Sequence, residues 1–303
     1  MKKTLIVGTV AYDEIETPKK HSGKILGGAA TYIGLSSALF SSQASIISVV
    51  GGDFEPSFLE LLKSKGLNID SIEIISNGKT FYWKGKYHKD WNKRDTLSTQ
   101  LNVLADFNPV VKKEDTYSEI IVLGNLHPAV QNSVLSQMRS KTKSVILDTM
   151  NFWMDNSLQK LLKVIKQVNI IIINDEEAIQ LSGKDTLFAA ATEILKMGPE
   201  HVVIKKGEHG AMLFSEKEFF TTPAYPVNKV EDPTGAGDSF AGGFAGFLSQ
   251  SKDLDFETLK LAVVHGTVLA SFCVEGFGTS KMEKLNKETV EKRFKEFKKY
   301  TRY

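Results

Sequence analysis

The stretch Asp232-Pro233-Thr234-Gly235-Ala236-Gly237-Asp238 decides the interpretation of this chain, and it runs directly into Ser239–Leu248, a segment of small and apolar residues that predicts a helix. Glycine takes positive φ without strain and lets the backbone come close to a ligand. A turn that opens a helix also presents unpaired N–H groups and the positive end of the helix dipole, and both bind anions. The stretch therefore predicts a phosphate-binding turn at the start of a helix.

Asp238 lies in the first turn of that predicted helix, beside the expected anion. A carboxylate there would normally repel a phosphate, but it is useful as the base that removes a proton from a hydroxyl group during phosphoryl transfer. An acidic residue that only stabilises the helix start is the structural alternative. The order of these seven residues before a small-residue helix favours the catalytic interpretation.

Three further motifs accompany this stretch: Gly27–Tyr32 (Gly-Gly-Ala-Ala-Thr-Tyr), Asn174–Glu177 (Asn-Asp-Glu-Glu) and Lys205–Ala211 (Lys-Lys-Gly-Glu-His-Gly-Ala). In this order the four motifs resemble those of the ribokinase-like (PfkB) sugar and nucleoside kinases. The 232–238 motif is highly specific, whereas the other three are weak singly and persuasive as a set that spans nearly the whole chain.

The composition is that of an ordinary globular protein. The chain has 303 residues, 42% hydrophobic and 24% charged, with a formal net charge of +2, so nothing demands an acidic partner. Cys273 is the only cysteine, which excludes an internal disulfide and suits a reducing compartment. No apolar run approaches the ~20 residues that span a bilayer. We therefore expect a cytoplasmic protein that binds neither nucleic acid nor a membrane.

Short apolar runs alternate with helical patterns along the chain. The predicted strands are Leu5–Val10, Ala44–Val50, Ile120–Leu123, Val145–Leu147, Val168–Ile173 and Val202–Ile204. The predicted helices are Gly28–Phe40, Pro56–Lys65, Ala129–Arg139, Ser157–Lys166, Leu187–Met197, Ser239–Leu248, Phe256–Cys273 and Lys287–Tyr300. This alternation predicts an α/β fold with a doubly wound, mostly parallel sheet flanked by helices. The resemblance makes it ribokinase-like, a single domain over residues 1–303.

The aromatic, strand-like segment Gly78–His88 interrupts the alternation. It is either an edge hairpin of the main sheet or part of the small β-sheet that forms a lid over the substrate site in the resembled family. Under the second interpretation the lid strands are insertions at about 13–25 and 78–104, with Asp13–Ile25 and Ser98–Leu104 as the further strands. The resemblance also implies a homodimer through this lid.

The phosphate end of the site follows from the resemblance and from local chemistry. Gly235, Ala236 and Gly237 would point backbone N–H groups at the transferring phosphoryl group as an anion hole, with Asp238 as the base. The spacing of Asn174 and Glu177 is typical of a capping box. The resemblance adds that this motif supports magnesium-bound phosphates, Glu177 acting through water.

The resemblance also implies contacts to the nucleotide from Lys205, Gly207, Gly210 and His265. A strand end and a tight turn are the structural alternative for the first three, and a core helix histidine is the alternative for the last. Asp232 and Thr234 match positions that hold an activating monovalent cation, K⁺, in some relatives.

The resemblance implies that the substrate end lies around Asp13, which follows the first strand, and a carboxylate suits this role because it accepts from two adjacent sugar hydroxyl groups. Gly27 and Gly28 would let the backbone approach the sugar, and Asn125 would line the same crevice or simply form a turn. Tyr32 stands where many relatives of the resembled family carry an asparagine that holds the sugar.

The resulting prediction is an ATP-dependent phosphotransferase that uses Mg²⁺ and acts on a hydroxyl group of a sugar or related small molecule, a carbohydrate kinase with an alcohol acceptor. A nucleoside kinase of the adenosine kinase type is the alternative substrate class. A non-catalytic nucleotide or metabolite sensor on the same fold is the alternative from a different class. The chain contains no Walker Gly-x-x-x-x-Gly-Lys-Ser/Thr motif, which excludes a P-loop NTPase.

Overall fold

The computed structural model describes residues 1–41, 43–91, 93–139, 142 and 144–302. Its strands, in chain order, are β1 (Thr4–Val7), β2 (Ala11–Glu16), β3 (His21–Gly27), β4 (Ala44–Gly51), β5 (Leu67–Ile75), β6 (Tyr82–Tyr87), β7 (Arg94–Gln100), β8 (Ile120–Leu123), β9 (Ser144–Asp148), β10 (Ile170–Asn174), β11 (His201–Lys205), β12 (Ala211–Phe214) and β13 (Phe219–Thr222). Its α-helices are α1 (Ala29–Ser37), α2 (Pro56–Ser64), α3 (Pro128–Gln137), α4 (Asn151–Ile165), α5 (Asp175–Ser182), α6 (Leu187–Leu195), α7 (Ala236–Gln250), α8 (Phe256–Cys273) and α9 (Lys287–Tyr300).

The larger sheet has nine strands in the order β13-β12-β11-β10-β9-β8-β1-β4-β5. The strands from β11 to β5 pair in parallel, and only β12 and β13 are antiparallel. The strand order reverses at β1, which pairs with β8 on one side and β4 on the other. Open sheets of this type bind ligands outside the carboxyl ends of the strands at such a reversal. The predicted doubly wound α/β fold is confirmed.

Helices cover both faces of this sheet, as the near-continuous apolar strands require. Within β1, Ile6 belongs to one buried cluster while Leu5 and Val7 belong to the other, because successive side chains of a strand point to opposite faces. The first cluster also contains residues of α1, α2, α7, α8 and α9, and the second contains residues of α3 to α6.

The small residues of α7 let it pack closely on α1. A Cβ at Gly242 would lie 2.7 Å from Ser36 Cβ, and one at Gly246 would lie 3.0 Å from Ser37 Cα. Both distances are too short for a real side chain, so glycine is required for this approach. At the other end of the contact Gly235 lies against Tyr32, so α1 and α7 run side by side and both begin at the ligand-binding edge of the sheet.

A separate four-stranded sheet has the order β3-β2-β6-β7. The segment Gly78–His88 contributes β6 to this sheet, not to an edge hairpin of the main sheet. The expected strand Ser98–Leu104 is wrong in its bounds. Strand β7 ends at Gln100, and Asn102–Asp106 forms a 3₁₀ turn that begins with positive φ at Asn102. Residue 92, within the expected range 78–104, lies outside the described residues.

Three strands of the main sheet were missed by the sequence prediction. They are β5 and β13, which are the two edge strands, and β12, which lies between β11 and β13. Edge strands are half-exposed, and β5 mixes Asn, Asp, Ser and Glu with apolar residues, so the buried-strand pattern is absent. Helix α4 begins at Asn151, earlier than the predicted start at Ser157, where the backbone is non-helical (φ −149°, ψ 31°).

Helix α8 is long and apolar enough to cross a membrane by length and composition alone, with a mean hydropathy of 1.2 over 18 residues. In the fold 61% of that window is buried. Its buried side chains, such as Val263 and Leu269, belong to the core cluster that contains α7, so α8 is a core helix of this domain.

Candidate active site

The stretch from Asp232 to Asp238 forms a turn that leads into α7, as predicted. Gly235 is the N-cap with φ +75° and ψ 3°, the left-handed conformation that glycine adopts without strain. Asp232 shapes the turn, because one carboxylate oxygen accepts from the Thr234 N–H at 2.9 Å and the other accepts from the Gly278 N–H at 2.8 Å. The unpaired N–H groups at the start of α7 therefore lie at the carboxyl edge of the main sheet.

Lys205 reaches over this turn from the end of β11. A Cβ at Gly237 would lie 2.9 Å from Lys205 Nζ, so the ammonium group is next to the predicted anion hole. The same Nζ is 3.1 Å from Asp148 Oδ1 at the end of β9. Strand β10, which ends at Asn174, lies between β9 and β11. The carboxyl ends of three adjacent strands therefore place Asp148, Asn174 and Lys205 at the same edge of the sheet.

Burial dominates the electrostatics of the carboxylates here. Burial raises the pKa of Asp238 well above its usual range, the Asp148 carboxylate raises it further, and the Lys205 ammonium opposes both. Asp238 nevertheless keeps part of its surface open to solvent. A carboxylate with a raised pKa is a stronger base than a free aspartate, which suits the proton-accepting role predicted for Asp238.

Asn174 and Glu177 form the predicted capping box. Asn174 Oδ1 accepts from the Glu177 N–H at 2.7 Å, and Glu177 Oε2 accepts from the Asn174 N–H at 2.8 Å. Burial raises the pKa of Glu177 to about 7, and the charges of Lys205 and Asp148 also act on it. A carboxylate at this strand end is chemically suited to support, through water, a divalent cation that also binds phosphate oxygens.

At the other end of the crevice Asp13 lies against the Gly27-Gly28 turn. A Cβ at Gly27 would overlap the Asp13 carboxyl group, and one at Gly28, where φ is +92°, would lie 2.8 Å from the Thr9 carbonyl carbon. Both positions therefore require glycine. Burial raises the pKa of Asp13 to about 7, although a hydrogen bond from the Gly28 backbone lowers it. A buried carboxylate with free acceptor capacity is suited to accept hydrogen bonds from hydroxyl donors.

The small sheet is tied to the phosphate-binding turn. The Thr234 hydroxyl donates to the Tyr87 hydroxyl at 3.0 Å, and Tyr87 is 5% exposed. Arg94 pairs with Tyr87 across the strands and stacks its guanidinium 5.0 Å from the centre of the Trp83 ring. The Arg94 charge lowers the pKa of Asp13 and of Asp238. The small sheet therefore brings a cation towards the carboxylates of the site.

Residues 1–285 match the family described as "pfkB family carbohydrate kinase". The chain belongs to this family. It is 27% identical to a cytidine kinase of Thermococcus kodakarensis over 87% of this chain and 94% of the relative. It is also 27% identical to a nucleoside kinase of Methanothermobacter thermautotrophicus over 91% of this chain and 90% of the relative.

Solved structures of the family share the fold. A nucleoside kinase of Methanocaldococcus jannaschii superposes with a TM-score of 0.80 at 22% identity, covering 98% of this chain and 99% of that one. A putative ribokinase II of E. coli in complex with ATP and Mg²⁺ gives a TM-score of 0.81 at 18% identity, covering 98% and 100%. The predicted class of activity, a kinase for a sugar or nucleoside hydroxyl group, is confirmed by the family. The two relatives compared by sequence are a cytidine kinase and a nucleoside kinase, so the narrower expectation of a carbohydrate acceptor stays a prediction.

Besides Lys205, the residues expected to contact the nucleotide are Gly207, Gly210 and His265. Gly207 and Gly210 flank a 3₁₀ turn with φ of +52° and +86°, and a Cβ at Gly210 would lie 2.5 Å from the Pro223 carbonyl carbon. Turn geometry accounts for both glycines. The His265 ring is stacked between Phe247 and Phe294 at 4.4 and 4.2 Å.

This packing places the His265 ring within the helical layer, and the expected nucleotide contact from it stays a prediction. Burial lowers the pKa of His265 to about 4, so the ring is neutral at physiological pH. The structural alternative for this histidine, a residue packed within the helical layer, is the one that the geometry supports.

Tyr32, predicted at the substrate end, lies buried beside the phosphate-binding turn, and its contact with substrate stays a prediction. Its side chain is 1% exposed, its ring lies directly against Gly235, and its hydroxyl has no hydrogen-bond partner among the described residues. Burial and the charge of Asp13 raise its pKa well above the usual range. Tyr32 lies in the first turn of α1, just after Gly27 and Gly28, and its ring packs against the phosphate-binding turn. It therefore connects the two predicted ends of the site.

Two groups of the site were missed by sequence reasoning. Asp148 ends β9 and pairs with Lys205, and Tyr87 binds Thr234. The only signal for Asp148 was a carboxylate at the end of a buried strand, which is also common in turns. Nothing in the sequence distinguished Tyr87 from the other aromatic residues of its segment.

Asp232 and Thr234 have structural partners that bear on the monovalent-cation expectation. Both oxygens of the Asp232 carboxylate are engaged by backbone N–H groups, and the Thr234 carbonyl accepts from the Cys273 thiol at 3.3 Å. These bonds alone explain why the two residues are buried, so a K⁺ site here stays a prediction.

Proposed function

We propose that this chain is a nucleoside kinase that transfers the γ-phosphoryl group of ATP to the primary hydroxyl group of a nucleoside. The observation that carries the proposal is the meeting of Asp238, the N-terminus of α7 and Lys205 at the strand ends next to Asp13. Similarity to a cytidine kinase and to nucleoside kinases over most of their lengths supports the nucleoside as acceptor.

In this proposal the backbone N–H groups of Gly235, Ala236 and Gly237 hold the transferring phosphoryl group, and Lys205 adds a positive charge on the same side. The acceptor oxygen forms a bond to the γ-phosphorus while the bond from that phosphorus to the bridging oxygen breaks, and ADP leaves. Asp238 takes the proton of the acceptor hydroxyl. The protein contributes mainly positioning and electrostatic stabilisation.

Mg²⁺ would be held by phosphate oxygens with support from Asp148 and Glu177, directly or through water, and would neutralise charge on the phosphates. The Asp13 carboxylate would accept hydrogen bonds from the ribose hydroxyl groups. The small sheet would act as a lid, held closed by the bond between Thr234 and Tyr87, and would exclude water that hydrolyses ATP.

A free sugar is the second candidate acceptor. Asp13 and the Gly27-Gly28 turn would contact hydroxyl groups, and a free sugar carries these as well as a nucleoside does. The sensor alternative is disfavoured by the intact base and anion hole. Our proposal also includes a cytoplasmic location, optional activation by K⁺ at Asp232 and Thr234, and a homodimer through the small sheet, where Leu97 is 49% exposed.

A coupled assay of ADP release tests the function with Mg-ATP across ribonucleosides, deoxyribonucleosides, pentoses and hexoses. Asp238→Asn is the inactive control. Asp255→Asn is the matched control, since Asp255 is an exposed helix cap whose role asparagine can fill. Nucleoside-dependent release that Asp238→Asn abolishes and Asp255→Asn keeps would support the proposal. Release with pentoses but not nucleosides would refute it in favour of the sugar.

A further inference from the structure

Three aromatic rings meet at the carboxyl ends of β8 and β9. Trp153 lies in the first turn of α4, and the rings of Phe152 and His127 stand almost perpendicular to it, at centroid distances of 4.9 and 5.2 Å. Phe152 is 50% exposed, so half of its surface is open to solvent at these strand ends. We call these three residues the aromatic corner.

A chain of contacts connects the aromatic corner to the acceptor end of the site. The Gly124 N–H donates to the Val7 carbonyl, and a Cβ at Gly124 would be 3.4 Å from Ala29 Cβ, next to the Gly27-Gly28 turn. Asn125 follows, and its Oδ1 accepts from Trp153 Nε1 at 2.7 Å. Trp153 is therefore hydrogen-bonded to the residue that follows Gly124, and Gly124 lies beside the Gly27-Gly28 turn.

The second connection leads to the phosphate end. Asn125 Nδ2 is 3.0 Å from the Met150 sulfur, and Met150 lies two residues after Asp148, the partner of Lys205. Asn125 was expected at the substrate crevice, and the structure shows it holding the Trp153 ring. The aromatic corner therefore flanks the acceptor position between Gly28 and Asp148.

The aromatic side chains of the small sheet are already engaged elsewhere. The Tyr82 hydroxyl donates to Glu14 at 2.7 Å, Tyr87 is bonded to Thr234, and the Trp83 face is covered by Arg94. The aromatic corner, by contrast, leaves half of Phe152 open at the ligand-binding edge. His127 adds a neutral ring, because burial and the charge of Lys160 lower its pKa.

We propose that the aromatic corner binds the base of the nucleoside acceptor, with Phe152 and Trp153 supplying the rings on which the base stacks. The inference rests on the proposed function and adds the specificity-determining residues. A nucleobase is flat and stacks on aromatic faces with little dependence on its identity, whereas a free pentose offers no such face. The corner would therefore discriminate nucleosides from sugars.

The test compares two acceptors, a nucleoside and methyl β-D-ribofuranoside, which keeps the ribose hydroxyl groups but lacks a base. Phe152→Ser should lower kcat/KM for the nucleoside by about tenfold, the scale of one base–aromatic stacking contact. It should leave kcat/KM for the methyl riboside and KM for ATP unchanged. Phe152→Tyr, which keeps the ring, should retain the preference of the wild-type enzyme for the nucleoside.

Phe188→Ser is the matched control, since Phe188 is 57% exposed, also packs on other aromatic rings, and lies on α6 near the far edge of the sheet. An unchanged preference in Phe152→Ser, or an equal loss with both acceptors, would overturn the base-binding role. A wild-type enzyme that phosphorylates the riboside but no nucleoside would instead refute the proposed function, and the base-binding role with it.

Discussion

Replacing Gly235 with alanine adds one methyl group where the phosphate-binding turn rests on Tyr32. The new Cβ would lie 2.5 Å from Tyr32 Cγ, about 1 Å inside an optimal carbon–carbon contact. Tyr32 is 1% exposed and has no room to move away. Overpacking of this kind costs about 1–3 kcal/mol, and the positive φ at Gly235 adds about 1–2 kcal/mol for an L-residue. We expect a loss of about 2–5 kcal/mol in the free energy of unfolding.

The same change should displace the N–H groups of the anion hole, and we expect kcat to fall by about 10²–10³-fold. Gly183→Ala is the matched control. Gly183 has φ +65°, and a Cβ there would have no heavy atom within 4 Å. It should lose only the backbone term, about 1–2 kcal/mol, and keep its kcat.

Urea denaturation gives the free energies of unfolding, and the ADP-release assay gives kcat. The reasoning is refuted if Gly235→Ala is no less stable than Gly183→Ala and turns over at the wild-type rate. The double variant with Tyr32→Ala adds a second check, because removing the ring should recover part of the stability that Gly235→Ala loses.

The remaining predictions concern the base, its titration and the small sheet. Asp238→Asn should lower kcat by at least ~10²-fold with little change in KM for ATP, and steady-state kinetics near the wild-type values would contradict its role as base. Transfer requires ionised Asp238, and burial raises its pKa to about 7, so kcat/KM should decline as the pH falls through about 7; a profile that stays flat down to pH 5 would exclude this titration. Tyr87→Phe removes the partner of the Thr234 hydroxyl and should destabilise the protein by about 1 kcal/mol. It should also raise ADP release without acceptor, and wild-type background hydrolysis would count against a closing role of the small sheet.

Much of the fold was predictable because the main sheet is buried on both faces. Its central strands carry continuous apolar runs, and the helices between them have their own periodic patterns. The edge strands β5 and β13 escaped prediction since their residues face partly towards solvent. Strand β12 is mostly buried, but its residues Ala211–Phe214 include no β-branched side chain that would indicate a strand. The bounds of β7 were misplaced because no local signal marks where a strand of a small, half-exposed sheet ends.

The candidate site also has parts that the sequence predicts and parts that it does not. Asp238, the glycine turn and the capping box of Asn174 and Glu177 were predictable, as each depends on residues adjacent in sequence. His265 was not, since a helical histidine carries no local sign of whether its ring faces a ligand or, as here, Phe247 and Phe294.

The sequence by itself determined the phosphate-binding turn, the order of strands and helices, and the family, because glycine conformations, helix caps and hydrophobic periods act over a few residues. Only the tertiary structure decided that Lys205 pairs with Asp148, 57 residues earlier, and that Thr234 binds Tyr87, 147 residues earlier. It also decided that the buried carboxylates hold their protons more tightly. A pKa depends on the charges and solvent excluded around a group, and that environment exists only once the distant strand ends have met.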